Sequence, residues 1–150
     1  MTAKPSWVDV LEACPLAQGP FLPQLGRCDW CGRRRGPRRR RWCSDRCADA
    51  FGENHVWSVA REAAKKRDNW TCVRPDCGRR RMAGLEVNHV VPILGRHAEV
   101  GCHHHLDGLE TLCHDHHLIT TAEQFGRDPS PEVLARAMGT RPLFDYPDAL

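Results

Sequence analysis

Cysteine spacing constrains this chain more than any other feature. Cysteines stand at 14, 28, 31, 43, 47, 72, 77, 102 and 113 of 150 residues, beside nine histidines. An odd count, a close pair at 28 and 31, and interleaved histidines fit metal ligation better than a disulfide framework. The apolar supply agrees. The hydrophobic fraction is 41%, much of it Ala and Cys, with only four Phe and one Tyr. A core that small needs staples such as metal ions. The N-terminus Met1-Thr2-Ala3-Lys4-Pro5 opens no apolar signal run. No stretch reaches the roughly 18 apolar residues of a membrane helix. A reduced, cytoplasmic setting with no membrane partner is therefore expected.

Residues 1–27 form an N-terminal arm rich in Pro and Leu, with a short helix expected over Ser6–Ala13 and stopped by Cys14-Pro15. Cys14 has no sequence partner and is taken as a bystander. Cys28-Asp29-Trp30-Cys31-Gly32 then makes a knuckle, in which Gly32 supplies the permissive φ of the tight turn. Cys43 and Cys47 straddle a helix start, with Ser44 placed to cap it. Cys28, Cys31, Cys43 and Cys47 together make a closed four-thiolate zinc site with no position left for substrate. Helix is expected over 44–67, broken near Gly52-Glu53-Asn54. His55 on it fits a packed or capping role better than a ligand's.

Net charge is +3, unevenly spread. Arg27 to Arg81 holds 17 basic and 7 acidic residues, and the remainder of the chain after Arg81 holds 4 and 10. Seven arginines crowd the loop between the knuckles: Arg33, Arg34, Arg35, Arg38, Arg39, Arg40 and Arg41. A further run, Arg79, Arg80 and Arg81, follows the later Cys pair. A basic half points to a polyanion partner, the alternative being a solvated Arg-rich loop. Guanidinium forks suit phosphate, and such contacts add affinity without reading sequence.

Two stretches carry the chemistry. Leu85-Glu86-Val87-Asn88-His89 alternates as a strand, with a catalytic turn ending at Pro92. Leu109 to Cys113 is a second strand, followed by a helix over 114–125 that Gly126 ends. If the two pack together, Asn88, His89 and His117 meet at one small site. Cys72 and Cys77 need partners. Cys113 and His116, three apart at the strand-to-helix junction, give a Cys₃His zinc site; the alternative completes it with Cys102 in place of His116. His103-His104-His105 is equally compatible with a ligand or substrate role and with a solvated loop. His97 and His114 are assigned to the structure or the surface. The tail 127–150 is acidic and peripheral, with a short helix over Pro131–Met138.

These motifs resemble the HNH endonuclease family, also called the His-Me finger or ββα-metal fold, over residues 67–126. Residues 28–54 resemble FCS-like or treble-clef zinc fingers. The resemblance implies an α+β chain: a small ββα-metal core stapled by zinc, preceded by a Cys₄ finger and linking helix spanning 28–66. It implies that His89 is the general base and that His117 ligates a catalytic divalent ion, Mg²⁺, Mn²⁺ or Ni²⁺. Asn88 stands where the family usually has Asp, sharing that ion without charge. Gly108 stands where the family has its Asn before the second strand, and Asp107 is the neighbour able to accept the same bonds. The implied cofactors are two structural Zn²⁺ and one catalytic ion. The implied reaction is phosphodiester hydrolysis of DNA to a 5′-phosphate and a 3′-hydroxyl. The rival readings are a non-cleaving nucleic-acid-binding module on the same fold and a zinc-dependent protein-interaction adaptor.

Overall fold

A computed structural model of the chain describes residues 7–17, 26–77, 84–95 and 98–139. Arg79, Arg80, Arg81 and His97 lie outside the described residues, as do parts of the N-terminal arm and the end of the tail. The fold is a small mixed α+β one. Its elements run α1 (Trp7–Glu12), α2 (Asp45–His55), α3 (Trp57–Arg67), β1 (Leu85–His89), β2 (Leu109–Cys113), α4 (His114–Gln124) and α5 (Pro131–Ala137). Two short 3₁₀ turns, Cys102–His104 and Leu106–Gly108, precede β2. No helix among the described residues is long and apolar enough to cross a membrane.

The chain divides into two compact units: Met1–Ala63 with Ile93–Gly108, and Ala64–Pro92 with Leu109–Leu150. The loop between the strands therefore groups with the finger rather than with the strands it joins.

In the first unit Ser44 caps α2, its hydroxyl accepting from Cys47 N–H at 3.3 Å. Gly32 adopts a positive φ of 70° at the knuckle turn, as its position predicts. The aromatic centre is a column. Trp42 stacks on Phe51, which stacks on the His55 ring at 4.6 Å, and Trp30 meets both Phe51 and His55 edge-on. Asp29, 2% exposed, receives Arg41 Nε at 3.1 Å, so one loop arginine neutralises a buried carboxylate. The helix break falls at Val56 rather than at Gly52. Val56 leaves the helix to bridge Val100, and Trp57 N–H donates to Glu99 O at 2.8 Å. A long-range backbone pairing thus sets the break, overriding the local signal of Gly52.

In the second unit β1 and β2 form an antiparallel pair, Leu85 opposite Cys113 and His89 opposite Leu109. Two strands alone are marginal in water, so the outer edge of the pair matters. Strand β1 ends at His89, and the chain from Val90 to Pro92 leaves the ladder. Strand β2 keeps the bounds its sequence predicts. Its outer edge is covered by the end of α3 and the turn after it. Thr111 N–H donates to Asp68 Oδ2 at 3.1 Å, Thr111 O accepts from Val73 N–H at 2.9 Å, and Leu109 O accepts from Arg67 Nη2 at 2.7 Å. Thr111 is fully buried, so these bonds satisfy backbone groups that would otherwise be stranded.

Asp68 is the hub of that edge. Burial opposes its charge, but Arg67 and the Thr111 N–H outweigh it and hold the carboxyl below its usual range. A depressed carboxylate pKa stabilises the fold above the unfolded-state value and loses that contribution as pH falls through the folded one. Replacing Asp68 by Ala is expected to cost about 1.5–3 kcal/mol at neutral pH, the range for hydrogen bonds to a charged group. Thermal unfolding followed over a pH series checks this, and the gap to wild type should close as pH drops below the carboxylate range.

Candidate metal centres and functional site

Among the described residues, three groups of four Cys or His side chains each bring their ligand atoms within 4.8 Å of one another. They are Cys28, Cys31, Cys43 and Cys47; Cys72, Cys77, Cys113 and His116; and Cys14, His55, Cys102 and His105. Each could hold a metal ion, and each donor set suits zinc.

The first group joins the knuckle to the first turn of α2. Cys31 and Cys43 sulfurs lie 3.5 Å apart and Cys43 and Cys47 sulfurs 3.6 Å apart. Those separations are far beyond a disulfide's ~2.05 Å and close to the ~3.8 Å edge of a tetrahedron of sulfurs around zinc. Burial pushes the Cys47 thiol up to about 12, with neighbouring sulfurs adding to it. Burial opposes ionisation of Cys28 as well, yet backbone N–H groups of Cys31, Cys43 and Trp30 outweigh it and bring Cys28 down to about 7. The backbone thus favours the Cys28 thiolate, while burial pushes the Cys31 and Cys47 thiols up.

The second group closes the base of the strand pair. Cys113 ends β2 and His116 lies in the first turn of α4, with His116 Nδ1 at 3.1 Å from Cys113 Sγ and 3.6 Å from Cys72 Sγ. Cys77 Sγ is 3.9 Å from Cys113 Sγ. Burial pushes the Cys72 thiol up to about 12. The Cys₃His set expected from spacing is the one the fold assembles. The alternative with Cys102 is not, because Cys102 belongs to the third group. His116 is wholly buried, and its Nε2 faces Asp76 at 3.6 Å without a hydrogen bond.

The third group is not legible in the sequence as a site. Cys14 stands isolated there, and His55 reads as packing. The one available signal is the spacing of Cys102 and His105, with two residues between them in the manner of a knuckle.

The residues singled out for chemistry lie on the same strand pair and on α4, with His89 at the end away from Cys113. Glu86 and Asn88 alternate onto one face of β1. His117, in the first turn of α4, directs Nδ1 at Glu86 Oε2 (2.8 Å), and His114 Nδ1 meets the other Glu86 oxygen at 2.7 Å. A carboxylate on Nδ1 leaves Nε2 as the ring atom available to a metal, and such a second contact orients metal-ligating imidazoles in general. Asn88 is 8% exposed and donates Nδ2 to Glu110 Oε1 at 2.9 Å across the strand pair, leaving its amide oxygen as the metal-competent end. His89 closes the strand. Its carbonyl and that of Val90 accept from Gln124 Nε2 on α4 at 2.8 and 3.1 Å, which ties the end of β1 to the helix. The expected apolar alternation is only partly realised, since Asn88 is buried while Val87 is half-buried. Sequence reasoning missed Glu86 and Glu110, whose roles depend on pairing across the strands.

Gly108 sits in the second 3₁₀ turn with its φ outside the left-handed region, and a Cβ there would meet nothing within 4 Å. Neither space nor backbone demands glycine.

The Arg loop is divided in its duties. Arg41 pairs with Asp29, Arg39 pairs with Asp45 at the start of α2, and Arg35 donates to Arg39 O. Arg33, Arg34, Arg38 and Arg40 are exposed. Comparison with protein-family models, curated proteins and solved structures gives no match for this chain.

Proposed function

We propose that this chain is a metal-dependent endonuclease acting on duplex DNA, of the HNH kind its sequence resembles. The observation that carries the reading is the Glu86–His117 pair. It holds the His117 ring against Glu86, which shares a strand face with Asn88, one residue from His89. The order of strand, strand and helix, with a Cys₃His group at its base, supports the same reading. So does the exposed arginine set on the finger loop.

The donors fit a divalent ion such as Mg²⁺, Mn²⁺ or Ni²⁺: Asn88 Oδ1 and His117 Nε2 would hold it. When bound, it supplies positive charge to a phosphate oxygen and to the departing 3′-oxygen. Asn88 brings no charge of its own, and Glu86 and Glu110, in contact with the two ligands, restore negative charge beside them. His89 takes the proton of the attacking water, and the products carry a 5′-phosphate and a 3′-hydroxyl. The pleat sends Asn88 and His89 to opposite faces. The expected convergence of Asn88 and His89 is thus not a shared strand face, and this reading requires the substrate to pass the open end of β1, where the ladder stops. The Cys₄ and Cys₃His groups hold structural zinc in this reading. A non-cleaving nucleic-acid-binding module is the second reading, favoured by the neutral Asn88 and by an arginine set that belongs to the finger unit rather than to the hairpin.

Plasmid nicking with Mg²⁺, Mn²⁺ and Ni²⁺ separates the two. Nicking that chelation stops is expected, and His89→Ala should lower the rate by about 10²–10⁴-fold, the usual contribution of a general base, with zinc content unchanged. Binding without nicking in any of the ions would favour the second reading.

DNA affinity measured over a salt series tests the loop. The Arg38→Ala, Arg40→Ala double variant should flatten the logarithmic salt slope by about 1.8, at roughly 0.9 for each phosphate no longer neutralised. An unchanged slope would remove the loop from the interface.

A further inference from the structure

The group formed by Cys14, His55, Cys102 and His105 belongs to neither of the zinc sites expected from the sequence, nor to the proposed catalytic site. All four residues lie in the unit Met1–Ala63 with Ile93–Gly108. They come from three separate places: the turn after α1, the last residue of α2, and the 3₁₀ segment before β2.

Their geometry is that of a coordination shell. Cys14 Sγ is 3.1 Å from His55 Nε2 and 3.4 Å from His105 Nε2, and the two Nε2 atoms are 3.2 Å apart. In a regular Cys₂His₂ zinc tetrahedron those edges are about 3.6 Å for sulfur to nitrogen and about 3.3 Å for nitrogen to nitrogen, from bond lengths of about 2.3 and 2.05 Å. Cys102 Sγ completes the four within the 4.8 Å span of the cluster.

The tautomer of one ligand is already fixed. His55 Nδ1 lies 3.0 Å from Phe51 O, and a carbonyl only accepts, so Nδ1 carries the proton. Nε2 therefore presents a bare lone pair to the cluster. This is the backbone contact that orients metal-bound imidazoles in general. His55 is wholly buried, its ring stacked on Phe51 and met edge-on by Trp30, so the lone pair is kept from water. Cys14 is buried too. A buried lone pair faced by a second imidazole nitrogen and a sulfur is best satisfied by a cation between them.

We infer that Cys14, His55, Cys102 and His105 bind a third structural zinc ion, which staples the N-terminal arm and the inter-strand loop to the end of α2. The surrounding backbone is arranged for that closure. Gly101 N–H donates to His55 O at 2.9 Å, Leu106 N–H donates to Asn54 Oδ1 at 3.0 Å, and Val56 bridges Val100. A loop held this way has the fixed ends that a four-ligand site spread over three segments requires. The ion would be structural, because four protein donors leave no open position.

The test is a metal count on the full-length protein purified reduced and with zinc. Native mass spectrometry should find three tightly held ions, still three in His117→Ala, and two in Cys102→Ala. Cadmium substitution of the unmutated protein gives an answer that does not depend on a variant folding. Three cadmium resonances are expected, ordered by four, three and two sulfur ligands, the last being this site. Two resonances, with only the four- and three-sulfur environments, would overturn the inference. So would loss of the third ion in His117→Ala, or a disulfide joining Cys14 to Cys102 in the purified protein. None of these outcomes bears on whether the chain cuts DNA, so nuclease activity and this site stand or fall separately.

Discussion

Convergence of soft donors on a point is the constraint from which the rest of this structure follows. Among the described residues, the largest fully buried side chains include three histidines, a cysteine, an aspartate and a threonine, against Phe51, Leu11 and Leu112 as sizeable apolar groups. Such an interior lacks the apolar area that ordinarily offsets chain entropy. Without a cation, burial disfavours the thiolates in these groups and pushes the Cys47, Cys72 and Cys102 thiols up. A bound ion reverses that sign, because ligand deprotonation and folding become one event. Two of the three groups also join segments distant in sequence, which is where a staple is most effective in closing a small fold.

The strand pair shows the same economy. The outer edge of β2 is not left bare, because Asp68, Arg67 and Val73 take up the outward groups of Leu109 and Thr111. One cluster fixes the base of the pair and Gln124 ties its far end to α4. Between those two anchors lies the face carrying Glu86 and Asn88, with His117 held against Glu86. In the proposed nuclease, rigidity there matters directly, since a base and a metal ligand misplaced by a fraction of an ångström lose their effect.

Local chemistry made much of this legible. The Gly32 knuckle turn, the Ser44 cap and the bounds of β2 rest on short-range spacing or on residue type. The pairing of Cys72 and Cys77 with Cys113 and His116, though long-range, joins two close-spaced ligand pairs that each need a partner. What escaped was set by partners far along the chain. The helix break falls at Val56 because Val100 pairs with it, and nothing near Gly52 could reveal that. Glu86 and Glu110 acquire roles only when register places them beside His117 and Asn88. Cys14 is 41 residues from His55, and His55 is 47 from Cys102, so no motif spans them, and only folding brings their donors together. The arginine loop is legible as charge but not as a division between structural and exposed side chains, because in the sequence Asp29 and Asp45 have no visible claim on Arg41 and Arg39.

The most direct test of metal-dependent folding is an amide correlation spectrum of the reduced protein, recorded zinc-loaded, after stripping with a chelator, and after zinc alone is returned. Dispersed resonances that collapse on stripping and recover with zinc are the predicted result. A spectrum that keeps its dispersion in the metal-free protein would contradict the view that coordination, rather than an apolar core, specifies this fold.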